Sequence, residues 1–293
     1  MAMDNKGILY NMGGWSQFFF FCFLSFSGLI MATLVILLMV PADNPLQSVP
    51  AIQIAQVIQT VFLFLIPSLV YAFLYQGSIK NYLNTRKQID TLFLLGTILL
   101  IIFIQPVINC IGYYNQQMIL PEFFDWMKEY EESAEKTLKL VFADRTIISL
   151  IINLLVIAVL AGLTEEFFFR GCLQQIMLKI VKNRHLAIWI TAIIFSAIHL
   201  QFYGFVPRVL LGALLGYLFV WSGSIWVPVI VHIIHNAINV VLIHMYYDTP
   251  QASQIENFRF EENALLISVS FIISALIIFM IYRRGVNRLK SEN

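Results

Sequence analysis

An all-α, polytopic membrane helix bundle is the fold class that this sequence predicts, and three observations predict it. Hydrophobic residues occupy 59% of the 293 positions and charged residues 12%, against roughly 45–50% and about 25% in ordinary soluble domains. The apolar residues fall into eight runs, each on the order of the 20 residues a helix needs to cross a bilayer core. Lys and Arg gather in alternate connections between these runs, as the positive-inside rule requires.

The runs lie near 16–41, 54–76, 91–113, 147–180, 186–203, 206–222, 225–246 and 264–283. The first follows Lys6 but is much longer than the roughly 7–15 apolar residues of a signal peptide and has no small-x-small cleavage site, so it is expected to stay as a span. The fifth and sixth are separated only by QFYGFVPR, with Pro207 marking the start of the next helix. Lys80, Arg86 and Lys87 follow the second run, Lys179, Lys182 and Arg184 the fourth, and Arg283, Arg284, Arg288 and Lys290 the eighth. These connections alternate onto one face, expected to be cytoplasmic, which puts both termini inside.

The connector from Glu122 to Arg145 then lies outside. It is rich in Glu, with Trp126, Tyr130 and Phe142 interleaved, and reads either as a short amphipathic helix at the interface or as a solvated linker. Residues 1–293 read as one membrane domain, in which spans and connector (1–146) precede a polar-bearing core (147–246). Cys22, Cys110 and Cys172 sit in apolar runs without ligand spacing and read as inert thiols. The net charge of +1 offers no footprint for nucleic acid. The lipid bilayer is the expected surrounding, and the location is an integral, multi-pass one, in a bacterial cytoplasmic membrane.

Ionisable side chains at membrane depth are costly and mark function by default. TEEFFFRG, Thr164 to Gly171, ends the apolar run of the fourth segment. Glu166 and Arg170 are four apart, acid first, the favourable order for a helical ion pair. Glu165 lies about 100° around the helix with Phe169 four later, and so has no local partner. Histidines are few: His185 in a connection, and His199, His232, His235 and His244 in late segments, the last near a helix end. Phe195 lies four before His199 and can pack on its ring. His232 pairs by spacing with Asn236, and His235 with Asn239, so spacing alone does not choose between the pairs.

Two chemistries fit, both ending in amide hydrolysis. Glu165 and a histidine can activate water while His232 and Asn236 donate to the oxyanion. Alternatively, His199, His232 and Glu165 can ligate a divalent metal such as zinc; no HExxH motif is present.

EEFFFR at Glu165–Arg170 resembles the EExxxR signature of the CPBP intramembrane proteases, the group of type II CAAX prenyl endopeptidases and of bacteriocin-processing and self-immunity proteins. FSAIH at Phe195–His199 resembles the family's FxxxH, and HIIHN at His232–Asn236 its HxxxN. The lead-in SIWVPVIVH, with Pro228 four before His232, selects His232 and Asn236 over the other pair. The resemblance implies that Glu165 and His199 activate the water and that His232 and Asn236 stabilise the transition state, with Glu166, Arg170 and Phe195 supporting. It implies a CAAX-protease-like intramembrane endopeptidase, with or without a metal, acting on a membrane-associated peptide or protein. The alternatives are a non-catalytic immunity or scaffold protein and a proton-coupled transporter.

Overall fold

A computed structural model describes residues 6–39, 48–85, 88–120, 122–124, 126–246, 249 and 258–291, without the side chains of 288–291. The expected span limits 40 and 41, the charges Arg86 and Lys87, and the side chains of Arg288 and Lys290 lie outside the described residues. Among the described residues ten longer helices carry the fold: α1 (Gly14–Met39), α2 (Val49–Gln76), α3 (Thr91–Phe103), α4 (Gln105–Gln116), α5 (Trp126–Ala143), α6 (Ile147–Val181), α7 (Arg184–Ala197), α8 (Phe205–Ser222), α9 (Trp226–Tyr246) and α10 (Phe260–Ser291). No strand occurs among the described residues.

The sequence sets these boundaries by ordinary capping. Ser48, Asp90, Thr146 and Asn183 each accept a backbone N–H of the first turn that follows, which satisfies donors that a helix start leaves bare. Gly77 and Gly223 end α2 and α8 in the left-handed conformation, at φ 64° and 62°. Asp90 also takes Arg284 of α10 at 2.7 and 3.0 Å, and this guanidinium holds the Asp90 carboxyl below the usual carboxylate range.

The expected count of about eight spans is not confirmed. Among the described residues, six helices are long and apolar enough to cross a membrane, and the count reaches seven if α3 and α4, bent by 43°, form one span. Pro106 has no N–H to continue the α3 ladder and stands in the first turn of α4, so the third apolar run breaks there. The fifth run is a helix of 14 residues, about 21 Å long, which ends before His199. The connector does fold as an amphipathic helix, α5, with Val141 and Phe142 buried.

The centre of the bundle is α6, touched by α1, α2, α7, α8 and α9, while α10 packs outside against α3, α4 and α8. Three π-helical stretches widen the helices at this centre: Val61–Leu65 in α2, and Leu154–Leu160 and Phe167–Leu173 in α6. In α2 the cause is visible. Pro67 cannot donate to a preceding carbonyl and its ring crowds the one four residues back, so the chain opens one turn earlier. The Phe62 carbonyl thus turned outward is met by Gly28 of α1, where a Cβ would lie 2.0 Å from the oxygen.

This contact yields a prediction. Gly28→Ala forces α1 from α2 and is expected to lower the thermal midpoint in detergent, at a cost of about 1–3 kcal/mol. Gly112→Ala, where a Cβ meets nothing within 4 Å, is expected to stabilise by about 0.5–1 kcal/mol. Equal midpoints for the two variants would refute the account.

Candidate active site

Both glutamates stand on the short α-helical turn between the two π stretches of α6. Glu166 and Arg170 are fully buried and paired, Arg170 Nη1 donating to Glu166 Oε1 at 2.6 Å. The expected i,i+4 pair is therefore present, and it is larger than spacing indicated. Arg170 Nη2 donates to the Gly212 carbonyl of α8 at 2.8 Å, and the guanidinium lies 5.0 Å from the Phe195 ring centre. His232 of α9 donates from Nδ1 to the same Glu166 oxygen at 2.8 Å. The carboxylate thus gathers two donors from two helices, which offsets the cost of removing its charge from water.

Glu166 fixes the His232 tautomer. A carboxylate can only accept, so the ring proton is on Nδ1, and Nε2 points toward Glu165, 3.9 Å from its Oε2. His199 is held the same way: Nδ1 donates to the Phe195 carbonyl at 2.8 Å, which leaves its Nε2 free. Phe195 is buried between the imidazoles, edge-on to both, with ring centres 5.3 Å from His199 and 5.9 Å from His232. A histidine in the turn after α7 and one in α9 converge on one aromatic ring.

Glu165 and His199 line a cavity of about 570 Å³ between α1, α2, α6 and α7. Most of its wall is apolar, including Phe18, Phe21, Phe64 and Phe168, so water and substrate groups entering it meet few other polar partners. Asn236, one turn beyond His232, donates from Nδ2 to the Ile157 carbonyl at 3.3 Å; neither it nor His232 forms part of this cavity's wall. His235 and Asn239 bond to each other, and His235 also to Gln105 of α4 at 3.1 Å. The two His–Asn pairs of α9 therefore face different neighbours, and His232 of the pair named by the motif faces the glutamates.

Among the described residues no three His, Cys, Asp or Glu side chains are grouped to hold a metal ion. Glu165, His199 and His232 do not form such a set, and no step below is derived through one.

Small residues make the convergence possible. A Cβ on Gly162 would lie 2.8 Å from the Ile233 side chain and 3.1 Å from its backbone nitrogen, so α6 and α9 touch one turn before Glu166 and next to His232. Gly212 and Gly216 let α8 lie against α7, and their carbonyls accept from Arg170 and, at 3.3 Å, Gln174. These glycines were missed as site-forming residues. Their signal was present, since Gly212–Gly216 is a GxxxG spacing of the kind that lets membrane helices approach closely.

Comparison with known proteins follows this geometry. Residues 147–238 match the family model described as type II CAAX prenyl endopeptidase Rce1-like, in agreement with the CPBP resemblance of the motifs. The uncharacterized protein YpbD of Bacillus subtilis is 31% identical over 104 residues, covering 34% of this chain and 48% of that protein. An uncharacterized 24.3 kDa protein of Escherichia coli is 34% identical over 107 residues, with 34% and 48% covered. The chain thus spans about half the length of the curated relatives it matches. No solved structure gives a significant match. Long apolar helices and the Rce1-like segment make the chain a multi-pass integral membrane protein.

The buried pair generates a prediction. Arg170→Ala leaves Glu166 charged and unpaired and is expected to cost about 3–5 kcal/mol, seen as loss of monodisperse protein on size exclusion. Adding Glu166→Gln should recover part of the yield; a double variant no better than Arg170→Ala would contradict this role.

Proposed function

We propose that this chain, carrying an Rce1-like segment within its membrane bundle, is an intramembrane endopeptidase that cleaves a peptide bond of a membrane-associated peptide or protein in a bacterial membrane. The observation that supports it most is the pair of imidazoles with Nδ1 tied back, on Phe195 and on Glu166. Each keeps Nε2 for chemistry, with Glu165 near one and in the same cavity as the other.

In this reading Glu165 and His199 draw the proton from a water whose oxygen attacks the scissile carbonyl. Negative charge then builds on the carbonyl oxygen. His232, protonated at Nε2 by the proton that Glu165 has drawn from the water, donates Nε2–H to it, and Asn236 offers the amide N–H that Ile157 does not use, so both stabilise the transition state more than the ground state. Collapse of the tetrahedral intermediate breaks the C–N bond, and the proton first taken from water passes to the departing amine. Glu166 and Arg170 touch no reacting atom and act by orienting His232. A binding-only scaffold would use the buried ion pair equally well but gives Glu165 and two free imidazole nitrogens no task.

Reconstituted protein, assayed on a panel of membrane-tethered peptides, tests the proposal. Glu165→Ala and His199→Ala are expected to lose about 10²–10⁴-fold in turnover while eluting as wild type. Asn236→Ala is expected to lose about 10²–10³-fold in kcat with KM little changed. Turnover equal in wild type, Glu165→Ala and His199→Ala would reject proteolysis at this site.

A further inference from the structure

We infer that the substrate site has a second half, a polar cavity beneath α5 that takes the hydrophilic, uncharged flank of an amphiphilic peptide whose apolar stretch lies in the first cavity. The inference rests on the endopeptidase reading above. The second cavity, of about 410 Å³, lies between α5, α2 and α6, and its α5 wall presents Tyr130, Ser133 and Thr137. Gln56 and His199 belong to the walls of both cavities. A chain running from one to the other therefore passes His199, where the proposed chemistry occurs.

Polarity rises past that junction. The first cavity is walled mainly by phenylalanines and aliphatic residues, with Ser25, Gln59 and Thr60 among them, whereas hydroxyls and carboxamides, including Gln201, make up a larger share of the second, beside Leu138, Val141 and Phe142. The Gln56 carboxamide makes no hydrogen bond among the described residues, and it can both donate to and accept from a peptide backbone. Such a group at the crossing point suits a chain held in extended form, where alternate backbone groups face the wall.

The second cavity is also built rather than left over. Gln53, one turn before Gln56, donates to Asn153 of α6 at 2.8 Å, and Asn153 donates to the Val141 carbonyl of α5 at 3.3 Å, which ties its three helices together. Arg208 grips Gln201 through its side-chain and main-chain oxygens, at 2.6 and 2.7 Å, and Glu131 of α5 accepts from the Tyr203 N–H at 3.0 Å. None of α2 or α5 falls within the Rce1-like segment 147–238, so this half of the site belongs to the remainder of the chain.

The test uses the full chain in lipid nanodiscs, as the Glu165→Gln variant for binding and as wild type for turnover. Two synthetic peptides share one apolar half; one continues into a Ser/Asn/Gln flank and the other lacks it. A photoreactive group in the flank should cross-link to Trp126–Ala143, and one in the apolar half to α1 or α2. Thr137→Trp, which fills the second cavity, should weaken binding of the flanked peptide by about tenfold and leave the flankless one unchanged; Ser133→Leu is the smaller obstruction should the first variant fold poorly. In wild type, Gln56→Ala should raise KM for both peptides with kcat held. Flank cross-links outside α5, or equal weakening of both peptides, overturns the second half alone. Absence of Glu165-dependent turnover overturns the endopeptidase reading, and binding of neither peptide overturns both.

Discussion

The bundle is organised by one constraint, the need to complete the surroundings of a charged pair that water cannot reach. Glu166 and Arg170 could neutralise each other on their own helix, but a carboxylate and a guanidinium offer more hydrogen-bonding positions than one contact uses. Three further helices supply more partners, while Glu166 Oε2 and Arg170 Nε keep none among the described residues. His232 comes from α9, the Gly212 carbonyl from α8, and the Phe195 ring from α7. Each of these attachments fixes a rotation and a depth, so the pair sets the relative register of α6, α7, α8 and α9. The orientation of the His232 ring is thereby a by-product of satisfying Glu166.

Membrane helices gain little from hiding apolar surface from one another, since lipid is equally apolar, and are held by close packing and interhelical hydrogen bonds. The small residues here stand where those bonds need short reach. Gly162 brings α9 against α6 beside the His232 contact, and Gly212 and Gly216 expose backbone oxygens to Arg170 and Gln174. The π-helical stretches of α6 lie on either side of Glu165 and Glu166, and widened turns of this kind recur at functional sites. Between them the two adjacent glutamates, about 100° apart around the helix, face different ways, Glu166 to the ion pair and Glu165 to the cavity.

Much of the site was legible because its signals are local. The i,i+4 spacing of Glu166 and Arg170, the unpartnered position of Glu165, and Phe195 four residues before His199 all follow from helical geometry. What the sequence could not convey was tertiary. That Glu166 also serves His232 depends on how α9 meets α6, and periodicity within either helix is silent on that. The preference for His232 over His235 came from the proline and tryptophan lead-in, not from spacing, and Gln105 of α4 now gives the physical difference between them. Two of the eight runs are not single full-length helices, for readable reasons. Pro106 interrupts the third run, and in the fifth the apolar residues past Ala197 do not continue the helix, since the chain turns through Ile198 and a left-handed Leu200 at φ 55°.

The brevity of α7 has an effect on its surroundings. A segment near 21 Å set among neighbours that match a hydrocarbon core of about 30 Å leaves a deficit that lipid must absorb by thinning at its margin. Thinning of this kind beside the end of α7, where His199 sits, would draw headgroups and their hydration toward the bundle. For the hydrolysis proposed above, such a dip would shorten the distance over which water must travel to reach His199.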